Sequence, residues 1–158
     1  MPDIDLDRTD RQILALLQRD GRISNQELAE RVSLSPSPCL RRVRRLEEQG
    51  YIRRYVALAD PARLGLGLLA YVFVRLDKAH RDSHQSISDF ARDVQGWPEV
   101  VQCYAMSGDM DYVLRVQVED LARFSKFAMD TLMRHPAVVD MRSSFALQTI
   151  KETTELPV

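Results

Sequence analysis

Cysteine is scarce in this 158-residue chain, and its two copies, Cys39 and Cys103, lie far apart without metal-ligand spacing. That excludes a disulfide framework and suits buried free thiols in a reducing compartment. Cys39 falls on the apolar side of a predicted helix and Cys103 in mid-strand, which disfavours a catalytic Cys–His pair. Histidine is also scarce: His80, His84 and His135. The first two are four apart, but His80 precedes the predicted helix and no carboxylate completes a ligand set, so all three read as solvated loop or helix-end groups. No G-x-S-x-G, Walker loop or dinucleotide fingerprint occurs, so no enzyme, metal or cofactor is expected. No apolar run approaches the roughly 18 residues of a membrane span. The opening M-P-D-I-D-L-D lacks the form of a signal peptide, so the expected location is cytoplasmic. Internal repeats and low-complexity segments are missing too.

Neither sign of charge dominates, the net value being −1, but the distribution is uneven. Residues 1–58 carry 11 arginines against 9 carboxylates, net +2, and residues 59–158 carry 11 basic against 14 acidic groups, net −3. Six arginines fall within 41–54 against Glu47 and Glu48. A local basic patch on a near-neutral chain suits selective contact with nucleic acid.

That patch sits in a stretch punctuated as two short helices and a tight turn. Ser24 followed by Glu27 reads as a capping box, and Leu28, Ala29 and Val32 share one face. Ser35 offers a second cap, Pro36 suits the first helical position, and Gly50 suits the left-handed stop. On this second helix Cys39, Leu40, Val43 and Leu46 cluster; Ser37, Pro38, Arg41 and Arg45 oppose them, flanked by Arg42 and Arg44. A solvated charged face explains most such runs. The helix–turn–helix spacing instead favours a recognition helix in a DNA major groove, where guanidinium forks grip phosphate or guanine. Ahead of it, Asp7 caps a bracing helix with Asp10 in its opening turn and Ile13, Leu16 and Leu17 inward. Ser33 occupies the corner between the two motif helices, where a left-handed backbone would be strained. Tyr51–Leu58 reads as a wing or hinge strand. Its Arg53 and Arg54 either touch phosphates or are simply exposed strand charges.

Asp60-Pro61, Gly65 and Gly67 mark a linker over 59–67. Beyond it the signals alternate: strand Leu68–Leu76, apolar on both faces; helix Ser83–Val94; strands Val100–Met106 and Asp111–Val118; a helix capped by Asp120 and stopped at His135-Pro136; and a final strand Val138–Ile150. The order βαββαβ is the ferredoxin-like unit. The fold class is therefore α+β, with a winged helix–turn–helix over 1–58 and a ferredoxin-like domain over 68–158. Helices cover one sheet face, and a second copy of the chain is the expected cover for the other.

The residues Asp7-Arg8-x-Asp10, Asp20-Gly21-Arg22-Ile23-Ser24, Leu34-Ser35-Pro36-Ser37-Pro38-Cys39 and Arg42-Val43-Arg44-Arg45-Leu46-Glu47 resemble the leucine-responsive/asparagine-operon (Lrp/AsnC) regulators. In the second half, Ser107-Gly108-Asp109-x-Asp111-Tyr112 carries the resemblance. It implies a transcriptional regulator of bacterial type, binding double-stranded DNA as a homodimer that assembles toward an octamer, with an amino-acid effector between dimers. Ser37, Pro38, Arg41, Arg42 and Arg45 are then expected in the groove, with Arg44, Arg53 and Arg54 on phosphates. Gly108 lets backbone N–H groups approach a carboxylate, and Asp109 and Asp111 can hold an ammonium. Ala105, Met106 and Leu121, with Phe145, would line an apolar pocket suited to a leucine- or methionine-like side chain. Outside the resemblance, Gly-Asp-x-Asp is more often only a turn. Two alternatives stand beside this reading. One is a haem-precursor decarboxylase of similar fold, which the intact arginines disfavour. The other is an architectural DNA-binding protein without an effector.

Overall fold

The computed structural model describes residues 6–77 and 83–158, with residues 83–86 described by backbone alone. His80, the His84 side chain and the acidic opening residues 1–5 lie outside that description. The chain forms two compact units: residues 1–58 with 151–158, and residues 59–150. The last eight residues, expected with the second domain, thus group with the first.

The first unit is three helices, α1 (Arg8–Arg19), α2 (Asn25–Arg31) and α3 (Pro36–Glu48). A complete capping box starts α1: the Asp7 carboxylate accepts from the Asp10 N–H, and Asp10 answers to the Asp7 N–H. The box expected at Ser24 is only half formed. Ser24 Oγ accepts the Glu27 N–H at 3.1 Å, while the Glu27 carboxylate pairs with Arg31, one helical turn on. Ser35 holds the N-cap position of α3 without a side-chain cap bond, so Pro36 supplies the start by its fixed φ. Ile13, Leu14, Leu28, Ala29, Val32, Cys39 and Leu46 form the core. Burying Leu46 completely removes a side chain worth about 2 kcal/mol from water. Gly50 ends the motif at φ +76°, as the sequence requires.

Tyr51–Leu58, expected as a wing strand, is irregular chain with no ladder partner among the described residues. Strand propensity alone cannot hold a strand, whose N–H and C=O groups need a neighbour. The segment is pinned instead by the Ile52 N–H on the Leu46 carbonyl and by the Tyr55 hydroxyl donating to Glu47 at 3.0 Å. Burial, then that hydrogen bond, push the Tyr55 phenol up to about 12. The terminal segment adds a clasp: Gln18 accepts the Leu156 N–H at 2.6 Å and donates to its carbonyl at 3.1 Å, and Arg19 pairs with Glu155.

The second unit carries β1 (Leu68–Leu76), α4 (Ser83–Asp93), β2 (Val100–Ala105), β3 (Tyr112–Val118), α5 (Leu121–Phe127) and β4 (Val138–Phe145). The strands make an antiparallel sheet of order β2-β3-β1-β4, the ferredoxin-like arrangement. The last strand stops at Phe145 rather than Ile150, because β1, its ladder partner, begins pairing at Ala70 opposite Phe145. Ala70, Val72, Val74 and Leu76 of β1 and Leu114, Val116 and Val118 of β3 pack with Phe90, Phe124, Phe127 and Leu132 from the helical layer. Alternation sends the other side chains through the sheet, so Tyr71 is exposed and Phe73 half-buried on the opposite face. His135 is buried, not solvated as expected. Its Nδ1 accepts the Ala137 N–H, its Nε2 lies 3.4 Å from Asp93, and its ring meets Phe90 edge-on.

Candidate nucleic-acid interface and effector hairpin

The helix–turn–helix geometry is set by two local devices. Ser33 takes φ +56° at the corner, the left-handed conformation that turns the chain from α2 into α3. Asn25, in the first turn of α2, donates from Nδ2 to the Pro36 carbonyl at 2.9 Å and ties the two helix starts together. Cys39 and Leu46 anchor the inner side of α3. Burial pushes the Cys39 thiol up, so it acts as an inert core group.

The outer side of α3 divides its arginines. Ser37, Arg41, Arg44 and Arg45 are exposed, and Pro38 and Arg42 are half-buried, so it is ion pairing that separates the arginines. Neither Arg41 nor Arg44 makes an ion pair among the described residues. Arg42 and Arg45, expected in the groove, point to α1 instead. Arg42 Nη1 lies 2.6 Å from Asp7 Oδ2 and 2.9 Å from Asp10 Oδ1, and Arg45 Nη2 donates to Asp10 Oδ2. Asp10 is 0% exposed. Its position in an opening helical turn explains it as a dipole partner, so the sequence reading missed its second task. The signal that could have found it was polar: an aspartate three residues ahead of Ile13, on the side α1 turns inward. The Asp10 N–H first, then Arg42, hold the Asp7 carboxyl below the usual carboxylate range. The same two carboxylates raise the Arg42 guanidinium and keep it charged. Arg53 and Arg54 are exposed on the irregular segment after α3.

The hairpin between β2 and β3 gathers most of the expected effector residues. Ala105 ends β2 opposite Tyr112, and Met106 closes the turn with its N–H on the Asp111 carbonyl at 2.8 Å. Gly108 takes φ +122°, where a side chain would be strained although nothing lies within 4 Å to block one. Ser107, Gly108 and Asp109 are exposed, with Asp109 3.7 Å from Arg142 on β4, and Met110 is buried beneath them as an anchor. Asp111 has structural work: its carboxylate accepts the Leu76 N–H and its own N–H donates to the Val74 carbonyl, both at 2.8 Å. These bonds fix the hairpin to the end of β1.

Leu121 is not part of this cluster within one chain. It follows the far end of β3, beyond Val118, whereas the hairpin adjoins Tyr112. Seven residues of strand separate the two by roughly 20 Å. Phe145 lies at that far end as well, against Phe124 with ring centroids 5.0 Å apart. Proximity in sequence across a strand is thus the wrong guide to which side chains share a pocket.

Comparison with known proteins agrees with both halves. Residues 6–53 match the winged helix-turn-helix DNA-binding profile, and residues 69–156 match the Lrp/AsnC ligand binding domain. The chain is 44% identical to the leucine-responsive regulatory protein of Escherichia coli strain K12 over 157 residues, covering 99% of this chain and 94% of that protein. Among solved structures it is similar to a transcriptional regulator from Neisseria meningitidis in complex with L-methionine, with 49% identity and TM-score 0.91 over 96% of each chain. An AsnC-family transcriptional regulator from Agrobacterium tumefaciens superposes at TM-score 0.88 with 41% identity, over 96% of this chain and 97% of that one. Relatives in these comparisons are named as regulators, not enzymes. With a helix–turn–helix unit joined to a ligand binding domain of the Lrp/AsnC type, the chain belongs to the Lrp/AsnC family of transcriptional regulators.

Proposed function

We propose that a homodimer of this chain binds operator DNA through α3 and that an amino acid with an apolar side chain, methionine or leucine, sets its assembly and its affinity for DNA. The observation that carries the reading is the outer side of α3. Ser37, Arg41 and Arg44 face solvent on a helix whose inner side is locked by Cys39 and Leu46. Arg41 and Ser37 with Pro38 approach base edges, Arg44 engages phosphate, and Arg53 and Arg54 add phosphate contacts beside the groove. A dimer presents two such helices about one helical turn of DNA apart, or a multiple of it.

The effector reading rests on the exposed Ser107-Gly108-Asp109 turn and on the methionine held by the Neisseria meningitidis relative. Backbone N–H groups of the turn receive the carboxylate, Asp109 faces the ammonium, and exposed Met106 with Ala105 contacts the side chain. Asp111 supports the hairpin through Leu76, and Leu121 joins a pocket only from a different copy. An amino acid that bridges copies favours the assembled state by the contacts made only there, which is the differential affinity that coupling requires. The outer sheet face around Tyr71 and Tyr104, exposed in one chain, suits the dimer seam. No helix among the described residues is long and apolar enough to cross a membrane, in keeping with a cytoplasmic regulator.

DNA footprinting with and without L-methionine and L-leucine, with light scattering on the same samples, tests this. A footprint whose extent or strength changes with either amino acid, alongside a change in particle mass, is the expected result. A footprint insensitive to both amino acids would overturn the methionine or leucine effector, and insensitivity extending to the other eighteen in the same assay would favour the architectural reading.

A further inference from the structure

Four guanidiniums stud α3, yet they do not stand alike. Arg42 and Arg45 are three residues apart and therefore neighbours on one helical side. Both reach the same buried carboxylate, one oxygen each: Arg42 on Asp10 Oδ1 and Arg45 on Asp10 Oδ2. Asp7 takes a second hold of Arg42 at 2.6 Å, and the Asp7–Asp10 capping box closes the network. Two carboxylates thus cancel two guanidiniums, and a cancelled charge releases few counterions when it nears a phosphate. Arg41 and Arg44 keep their full charge toward solvent.

We propose that Asp10, with Asp7, is a positioning and specificity-determining residue of the DNA-binding unit. It holds Arg42 and Arg45 against α1 and withholds them from the duplex, so that Arg41 and Arg44 are the guanidiniums of α3 that engage it. The inference rests on the placement of α3 in the groove. Its consequence concerns selectivity more than strength. Free arginines grip any phosphate, so restraining half of them lowers sequence-independent affinity and leaves a larger share of binding to base edges. The network also fixes the angle at which α3 leaves α1, and so the register of Arg41 on its site.

The test measures binding of the full-length protein against salt, using a duplex selected from a random pool and a scrambled duplex of the same composition. In the parent background, Arg44→Gln should make the log–log salt slope shallower by about one and Arg41→Gln should lower the selected-over-scrambled ratio by about tenfold, while Arg42→Gln leaves both unchanged. The double variant Asp7→Asn with Asp10→Asn should steepen the slope by up to about two and tighten scrambled-duplex binding roughly tenfold per released arginine near 0.1 M salt, lowering the specificity ratio. Asp7→Asn alone, at the exposed position, should steepen it by less. It serves as the release variant should thermal melting show the double variant unfolded. Arg42→Gln and Arg44→Gln flattening the slope equally would overturn the withholding role. If no arginine substitution on α3 altered the slope, the placement of that helix on DNA would fall, and this inference with it.

Discussion

Ser33 holds the corner between α2 and α3 at φ +56° with a Cβ that crowds the following carbonyl. Ser33→Gly should remove that strain and raise stability by about 0.5–1 kcal/mol after glycine's extra unfolded-state entropy is deducted, read as an increase in denaturation midpoint at unchanged slope. Asp7 acts on a different variable. Its carboxyl is depressed by the Asp10 N–H and then by Arg42, so its ionised form is favoured in the folded state. The contribution is fully present above the ordinary carboxylate value near 3.8 and is lost as pH falls through the lower folded value. The difference in melting temperature between parent and Asp7→Asn should therefore be largest near neutrality and shrink below about pH 4. A constant difference across that window would show that the carboxylate's charge is not what matters there.

Elements in this chain obtain their places from partners more than from propensity. Leu68–Leu76 is a strand because β3 and β4 flank it on both edges, whereas Tyr51–Leu58, also β-prone, has no ladder in the first unit. The terminal segment makes the converse point. Nothing in Lys151–Val158 announces a helix or strand, yet Leu156 exchanges two hydrogen bonds with the Gln18 side chain and Glu155 pairs with Arg19. An apolar groove of about 560 Å³ opens there between Leu14, Leu17, Tyr51, Leu156 and Val158. Removing residues 151–158 should cost the helix–turn–helix unit on the order of 1 kcal/mol, a fall of roughly 4–8 °C in its melting temperature. Gln18→Ala should reproduce part of that loss in the full-length chain, and an unchanged melt in both would assign the tail no role in the unit.

For the whole molecule, the basic surface near α3 carries charge that the net value of −1 conceals. Arg54→Ala should weaken selected and scrambled duplexes alike and make the salt slope shallower by about one, because a phosphate contact reads no sequence. The exposed sheet face and the exposed hairpin of one chain are the surfaces that the proposed assembly would cover. Gly108→Ala, placing a side chain at φ +122°, should reduce amino-acid binding measured by calorimetry while leaving the ligand-free affinity for DNA near that of the parent.

Periodicity and punctuation along the chain were enough to define the helix–turn–helix, the ferredoxin-like alternation and the element order apart from the expected wing strand at Tyr51–Leu58, since caps, Pro36, Gly50 and apolar spacing act locally. The cluster Ser107–Asp109 and the exposed Ser37 and Arg41 were legible for the same reason. Three decisions needed tertiary structure. Arg42 and Arg45 turn to Asp10 because α1 brings a buried carboxylate beside them from more than thirty positions away in sequence. Leu121 parts from the hairpin because a strand seven residues long lies between them. The last eight residues return to the first unit through a clasp on Gln18. Each depends on which distant groups meet, and a local pattern carries no information about a partner supplied by another element.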